Sequence, residues 1–349
     1  MKKIYIFVMM SVVFMFINTS SSLVNTIIYS IAVVPIAVLL GELTSKISEF
    51  IGEKRGGLLA ATVGNFPELM MGVWSISFGM IPMVKSALIG SIVSNMLLVL
   101  GISIFIGGIK FKEQIFNKII ARTNFNMLLL AMSAMVVMAS LNGYSNIKIN
   151  TMTSISIKVS VVLITVYILG LIFSLYTHRN LFVISEKKDD NIQKNDKLYK
   201  YILIIEIIIN SVLLFVISEK LIFNIREMVN SYNLPQEFIG IILIPILGNM
   251  GENVSAIMCA AHNRVNMSLE IAIGSSIQIA LFATPLLVIF SYFMGVEMTF
   301  VFSNFQIIMS GIAIGMSFFV FQDGKTYWLE GAILIAIYTM VTMGYYYLV

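Results

Sequence analysis

Two glutamates lie where a carboxylate is expensive. Residues 63–72 read VGNFPELMMG, and Glu68 is the only charged residue between Arg55 and Lys85. Glu252, in PILGNMGENVSA, lies equally far inside an apolar run. A charge at such depth in a membrane helix costs about 2.5–3.5 kcal/mol on insertion scales. The cost is offset if the group is protonated or if it shares a cation. A pair can switch between those states, because two facing carboxylates repel and protonating one relieves the other.

The neighbouring residues fit a hard cation. Ser91 and Ser94 are three apart and share a helix face. Ser275 and Gln278 repeat that spacing. Carboxylate, amide and carbonyl oxygens are what calcium takes. No Cys/His cluster suggests zinc or copper. Gly64, Pro67, Gly72, Gly248 and Gly251 flank the two acids, and such residues loosen a helix and free carbonyls where backbone lines a cavity. Asn65 and Asn249, three residues before each Glu, are placed to supply oxygens or to hold a broken helix together.

Composition sets the class. The chain is 58% hydrophobic and 11% charged, against about 25% charged in soluble domains. A span needs about 20 mostly apolar residues, and the chain holds many such runs. An all-α, polytopic membrane protein is expected, with no room for a large soluble domain. Eleven helices are expected near 4–20, 24–48, 57–79, 83–107, 124–141, 152–176, 200–224, 236–261, 268–293, 300–320 and 327–347. Boundaries are marked at Gly56-Gly57, Pro82, Gly107-Gly108, Pro235, Gly295 and Asp323-Gly324. Lys2 and Lys3 followed by an apolar run and NTSSS have the layout of a signal peptide, but an uncleaved first helix is the favoured reading. The single cysteine, Cys259, excludes an intrachain disulfide.

All but five of the 22 Lys and Arg fall on one side if the N-terminus is cytoplasmic. The exceptions are Lys85, Lys148, Lys158, Lys220 and Arg226. This orientation puts the C-terminus outside and explains the net charge of +4 without nucleic acid. An offset of 184 residues matches Gly56 to Gly240, Gly64-Asn65 to Gly248-Asn249, Glu68 to Glu252, Met83 to Met267, Gly90-Ser91 to Gly274-Ser275 and Leu97 to Leu281. The expected organisation is an N-terminal helix (1–22), a five-helix repeat (23–180), a cytoplasmic polar linker (181–199) and a second five-helix repeat (200–349). An odd number of helices inverts the second repeat, which places a substrate site at the repeat interface near the midplane.

These stretches also carry a resemblance. KRGGLLAATVGNFPEL, SALIGSIVSNMLLVLGISIFIGG, PILGNMGENVSA and IAIGSSIQIALFATPLLV are similar to the signature repeats of calcium/proton antiporters of the cation/calcium exchanger superfamily. DGKTYWLEGAILIAIY resembles that family's last helix. The resemblance implies an eleven-helix antiporter that exports calcium from the cytoplasm in exchange for protons, and the short loops and missing targeting arm point to the plasma membrane. Glu68 and Glu252 would be the principal carboxylates, with Ser91, Ser94, Ser275 and Gln278 as accessory ligands and Gly64, Asn65, Pro67, Gly248 and Asn249 in support. It implies calcium as substrate with no cofactor, and calcium, protons and the lipid bilayer as partners; such antiporters include homo-oligomers. Phe66-Pro67 departs from the family's small residues and resembles the sodium/calcium branch. Asn253 replaces a His that follows the second Glu, which bears on proton coupling. A sodium/calcium or other divalent exchanger, such as one for manganese, and a cation channel therefore stay open. An intramembrane enzyme is disfavoured, because no nucleophile and base come together.

Overall fold

The computed structural model describes residues 2–51, 63–144, 147–178 and 197–348. Its helices follow the apolar runs. They are α1 (Lys2–Phe14), α2 (Ser22–Ile51), α3 (Phe66–Ser77), α4 (Ile81–Phe111), α5 (Lys118–Tyr144), α6 (Ile149–Thr177), α7 (Lys197–Tyr232), α8 (Gln236–Gly248), α9 (Met250–Ala261), α10 (Val265–Phe293), α11 (Asn304–Val320) and α12 (Trp328–Leu348). The only strands among the described residues, β1 (Gln114–Ile115) and β2 (Lys325–Thr326), form one short antiparallel pair. Among the described residues, seven helices are long and apolar enough to cross a membrane, or eight if α8 and α9, bent by 64°, count as one span. The chain is a multi-pass membrane protein.

Several boundaries differ from expectation. The helix expected over 236–261 breaks at Asn249, the junction of α8 and α9. Gly107-Gly108 lies inside α4 rather than ending it. The side chain of Gln114 packs against Gly107 and the backbone of Trp328 against Gly108, so the two glycines serve close contacts. Helix α7 begins at Lys197, inside the stretch expected to be linker. Gly56-Gly57, the start of the helix expected at 57, and the linker up to residue 196 lie outside the described residues, as do Lys54 and Arg55 of the orientation argument. The glycines expected at turns, Gly295 and Gly324, take φ of 70° and 85°, which suits glycine.

The two most buried spans, α4 and α10, form the centre. Each is wound more loosely at mid-length, as a π turn at Ser94–Val99 in α4 and Ile279–Ala283 in α10. The second has a local cause. Pro285 has no N–H to give the preceding turn, and the Thr284 hydroxyl donates to the Ile279 carbonyl at 2.7 Å. In the first, the Ser317 hydroxyl of α11 donates to the Met96 carbonyl at 2.7 Å.

Helix α8 lies directly against α4. A Cβ at Gly90 would stand 2.6 Å from the Ile241 carbonyl oxygen, and one at Gly240 would meet the Met83 carbonyl oxygen. Backbone cannot yield as a side-chain tip does. Gly90→Leu should therefore destabilise the protein by about 1–3 kcal/mol or more through overpacking, read as a lowered unfolding temperature in detergent.

A polar clamp closes the end of the bundle that carries the loop after α4. Gln114 Nε2 donates to the Ala260 carbonyl at 2.9 Å and Lys110 Nζ to the Ala261 carbonyl at 2.9 Å, so both hold the end of α9. Lys325 Nζ pairs with Glu113 Oε1 at 2.9 Å, and the Tyr327 hydroxyl donates to Glu113 Oε2 at 3.1 Å. The Lys325 hydrogen bond, then that of Tyr327, holds the Glu113 carboxyl below its ordinary 4.5, while Glu113 raises Lys325 above 10.5. A depressed carboxylate stabilises the fold above its ordinary value and loses that contribution as pH falls through the folded one; the raised lysine loses its share as pH climbs past 10.5. The protection factor of the Phe116 amide, which donates to the Gly324 carbonyl, should hold steady between those limits and fall in acid below 4.5. Lys325→Met should show a smaller acid fall, the part that the Tyr327 hydroxyl sustains.

Candidate cation site

The site forms where two helices begin. Asn65 and Asn249 take non-helical angles (φ −91°, ψ 15° and φ −101°, ψ 11°), and α3 and α9 start immediately after them. Pro67 occupies the first turn of α3, where a missing N–H costs no helical bond. Glu68 and Glu252 thus fall at the same place, the third residue of a half-helix. The positive end of a helix dipole favours a carboxylate there by about 0.3–1 kcal/mol.

Neither asparagine caps its own helix. Both reach across instead. Asn249 Nδ2 donates to Glu68 Oε1 at 2.6 Å, and the Ser91 hydroxyl donates to the same oxygen. Asn65 Nδ2 donates to Gln278 Oε1 at 2.6 Å, and Asn65 Oδ1 accepts from the Ser275 hydroxyl at 3.1 Å. Ser275 also lies beside the Glu252 carboxyl. Gly248 is what lets Glu68 lie flat: a Cβ there would collide with Glu68 Cγ.

Glu68 is buried and Glu252 half-buried. Glu68 Oε2, Glu252 Oε2 and Asn249 Oδ1 are buried and accept no hydrogen bond. Buried polar atoms ordinarily find partners. Such oxygens are hard donors of the kind a hard cation takes. Among the described residues no group of three or more His, Cys, Asp and Glu could hold a metal ion. A cavity of about 10 Å³ beside Glu68 is lined by Gly72, Ser75, Leu88, Ser91 and Leu287 among others; it has room for about one water.

The expected residues converge with one exception. Glu68, Glu252, Ser91, Ser275, Gln278, Asn65 and Asn249 form the cluster, with Pro67 and Gly248 shaping it. Gly64 is in the turn before Asn65. Ser94 is buried but its hydroxyl makes no hydrogen bond; its polar neighbour is Tyr338 of α12. Asn95 takes the position beside the cluster, donating from Nδ2 to Ser275 Oγ at 3.2 Å. A search by the 184-residue offset passes over Asn95, because its counterpart is Ile279. A mid-span amide flanked by Ser94 and Met96 was the available signal. Glu206 and Glu330 lie elsewhere: Glu206 accepts from the Tyr5 hydroxyl at 2.9 Å, and Glu330 from the Tyr327 amide at 2.9 Å.

Broken helices that bring two intramembrane carboxyls and a ring of amides together define a membrane transporter of cations. The model of the sodium/calcium exchanger protein family matches residues 21–176 and 202–347, and the chain belongs to that family. It is 33% identical over 330 residues to the Ca(2+)/H(+) antiporter of Aphanothece halophytica, covering 91% of this chain and 88% of the relative. It is 32% identical over 324 residues to the Ca(2+)/H(+) antiporter ChaA of Bacillus subtilis, covering 92% and 91%. Vacuolar cation/proton exchanger 1 of Arabidopsis thaliana is 33% identical over 324 residues, covering 89% and 70%. Among solved structures, native YfkE superposes with a TM-score of 0.83 at 29% identity over 98% of both chains. The H+/Ca2+ exchanger CAX shares the fold, with a TM-score of 0.69 at 15% identity over 97% of this chain and 89% of that one.

Asn249→Ala removes one of two donors to a buried carboxyl oxygen, which costs about 1.5–3 kcal/mol for a bond to a charged group. It should lower the unfolding temperature, whereas Asn253→Ala, outside this hydrogen-bonded set, should not.

Proposed function

We propose that this protein is a secondary antiporter that exports calcium from the cytoplasm in exchange for protons. The observation that carries the reading is the pair of half-helix glutamates, each with a buried carboxyl oxygen that accepts no hydrogen bond, in a chain whose relatives are Ca(2+)/H(+) antiporters. Glu68 and Glu252 hold calcium or protons, and Ser91, Ser275 and Gln278 are accessory ligands, with Ser94 turned instead toward Tyr338. Two carboxylates with one calcium are neutral, and so is the doubly protonated pair. Only neutral states are cheap to reorient in a membrane, because a bare pair carries the full insertion penalty. That penalty enforces exchange, and each net charge moved is worth about 2.3 kcal/mol per 100 mV.

The architecture in this reading is eleven spans: an N-terminal helix (1–22), a repeat over 23–180, a cytoplasmic linker over 181–199 and an inverted repeat over 200–349. In its favour, α3 and α9 both begin and end 184 residues apart. The count of eleven takes α8 with α9 as one span and α3 as the described part of another. The N-terminus is cytoplasmic and the C-terminus outside, from the lysine and arginine bias; the membrane is the plasma membrane, a reading supported by the short loops. A homo-oligomer is compatible with this scaffold.

A second reading, sodium coupling, draws on Phe66-Pro67 beside Glu68 and on Asn253 after Glu252. Inside-out vesicles separate the two. An imposed pH gradient should drive calcium uptake without sodium. Glu68→Gln or Glu252→Gln should reduce it by at least about 100-fold, since losing one partner of a buried charge pair costs about 3–5 kcal/mol. Uptake at the unmodified rate in either variant would remove the site assignment.

A further inference from the structure

The cavity beside Glu68 has a direction. Glu68, Gly72 and Ser75 line it from α3, and Val84, Leu88 and Ser91 line it from α4. Each trio is spaced four and three residues apart, so each keeps to one face of its helix. Residues 78–80 alone join α3 to α4, so the two helices run in opposite directions. The cavity therefore lies in a groove that starts at Glu68 and Ser91, in the cation site, and ends at Ser75 and Val84, near that turn. Its length along the helix axis is about 10 Å.

One side chain blocks the groove midway. A Cβ at Gly72 would stand 2.7 Å from Leu287 Cδ1. The tip of this α10 leucine thus fills the place of the side chain that Gly72 lacks, between Glu68 and Ser75. Leu287 is 1% exposed, and Gly72, Ser75 and Val84 are buried with it. The block is a flexible tip against a glycine, unlike the backbone that meets Gly90. A change of leucine rotamer clears it without moving a helix. The 184-residue offset keeps both glutamates, Ser91 and Ser275, but not this plug: Ser103 is the counterpart of Leu287, and Ala256 that of Gly72.

We propose that the groove is the outer leg of the cation path and that Leu287, seated on Gly72, is its gate. The inference rests on the calcium/proton reading above, whose orientation puts the turn at 78–80 outside. While the leucine is seated, water and ions from outside stop short of Glu68, as at hydrophobic constrictions that gate by dewetting. When it swings off the glycine, calcium can leave, and protons reach the Glu68 oxygen that accepts no hydrogen bond. Ser75 and Ser91 supply hydroxyls at the two ends of the passage. The gate also sets the apparent affinity at the outer face, because a site that is open in only a fraction of molecules binds more weakly by that fraction.

The test compares calcium uptake by the unmodified protein, Leu287→Ala and Leu287→Met. Right-side-out vesicles present the outer face to calcium and inside-out vesicles the inner face, each with an acid lumen. Leu287→Ala takes the tip off Gly72 and should lower KM for calcium about tenfold at the outer face, a shift of about 1.4 kcal/mol toward the open state. At the inner face its KM should be unchanged or raised. Leu287→Met keeps the volume and should keep both values. Should Leu287→Ala not fold, the milder Leu287→Val should lower the outer KM in the same direction. An unchanged or raised outer KM overturns the proposal, as does an equal shift at both faces, which a merely loosened fold would give. If the unmodified protein takes up no calcium from either face, the antiporter reading itself fails and this inference with it.

Discussion

A carboxylate inside a membrane must be neutralised, and the rest of this structure is arranged around that requirement. Glu68 gains one neutral hydroxyl donor, one amide donor and a helix N-terminus, none of which carries a full positive charge. An arginine or lysine in the same place would pair permanently and lock the site. Neutral donors leave the remaining oxygen free to exchange its partner, and the same economy holds at Glu252 with Ser275 alongside.

Packing follows from this. To bring the two carboxyls into the bundle, α3 and α9 have to begin inside it, and the exposed backbone of their first turns has to be shielded. Helices α4 and α10 do the shielding and are the most buried spans. Both carry a π turn beside the site, so some of their carbonyls are not held in the regular ladder. Glycine contacts such as Gly90 with Ile241 and Gly248 with Glu68 set how near the pieces approach.

Much of the site was legible in the sequence because its cost is legible. A lone acid in an apolar run is conspicuous, and a register-matched second one more so; the helices that carry them follow from hydropathy. What was not legible is direction. Asn65 and Asn249 read as oxygen donors or braces, yet their nitrogens make the short bonds, each across to another helix. Local sequence does not encode which atom of an amide faces a partner more than 180 residues away. Gly107-Gly108 read as a helix end because glycine punctuates most chains, whereas here tertiary contacts with Gln114 and Trp328 hold the helix through it. Asn95 was hidden by the repeat itself, since a search for symmetry discards what one half alone possesses.

The clamp at the end of α9 has a mechanical meaning. Its last two carbonyls are held from Gln114 and Lys110, while its other end meets α8 at a 64° bend, where Asn249 is bonded to Glu68. A helix tied at both ends makes one rigid strut between the loop after α4 and the Glu68 carboxyl, so neither end can be displaced without loading the bonds at the other.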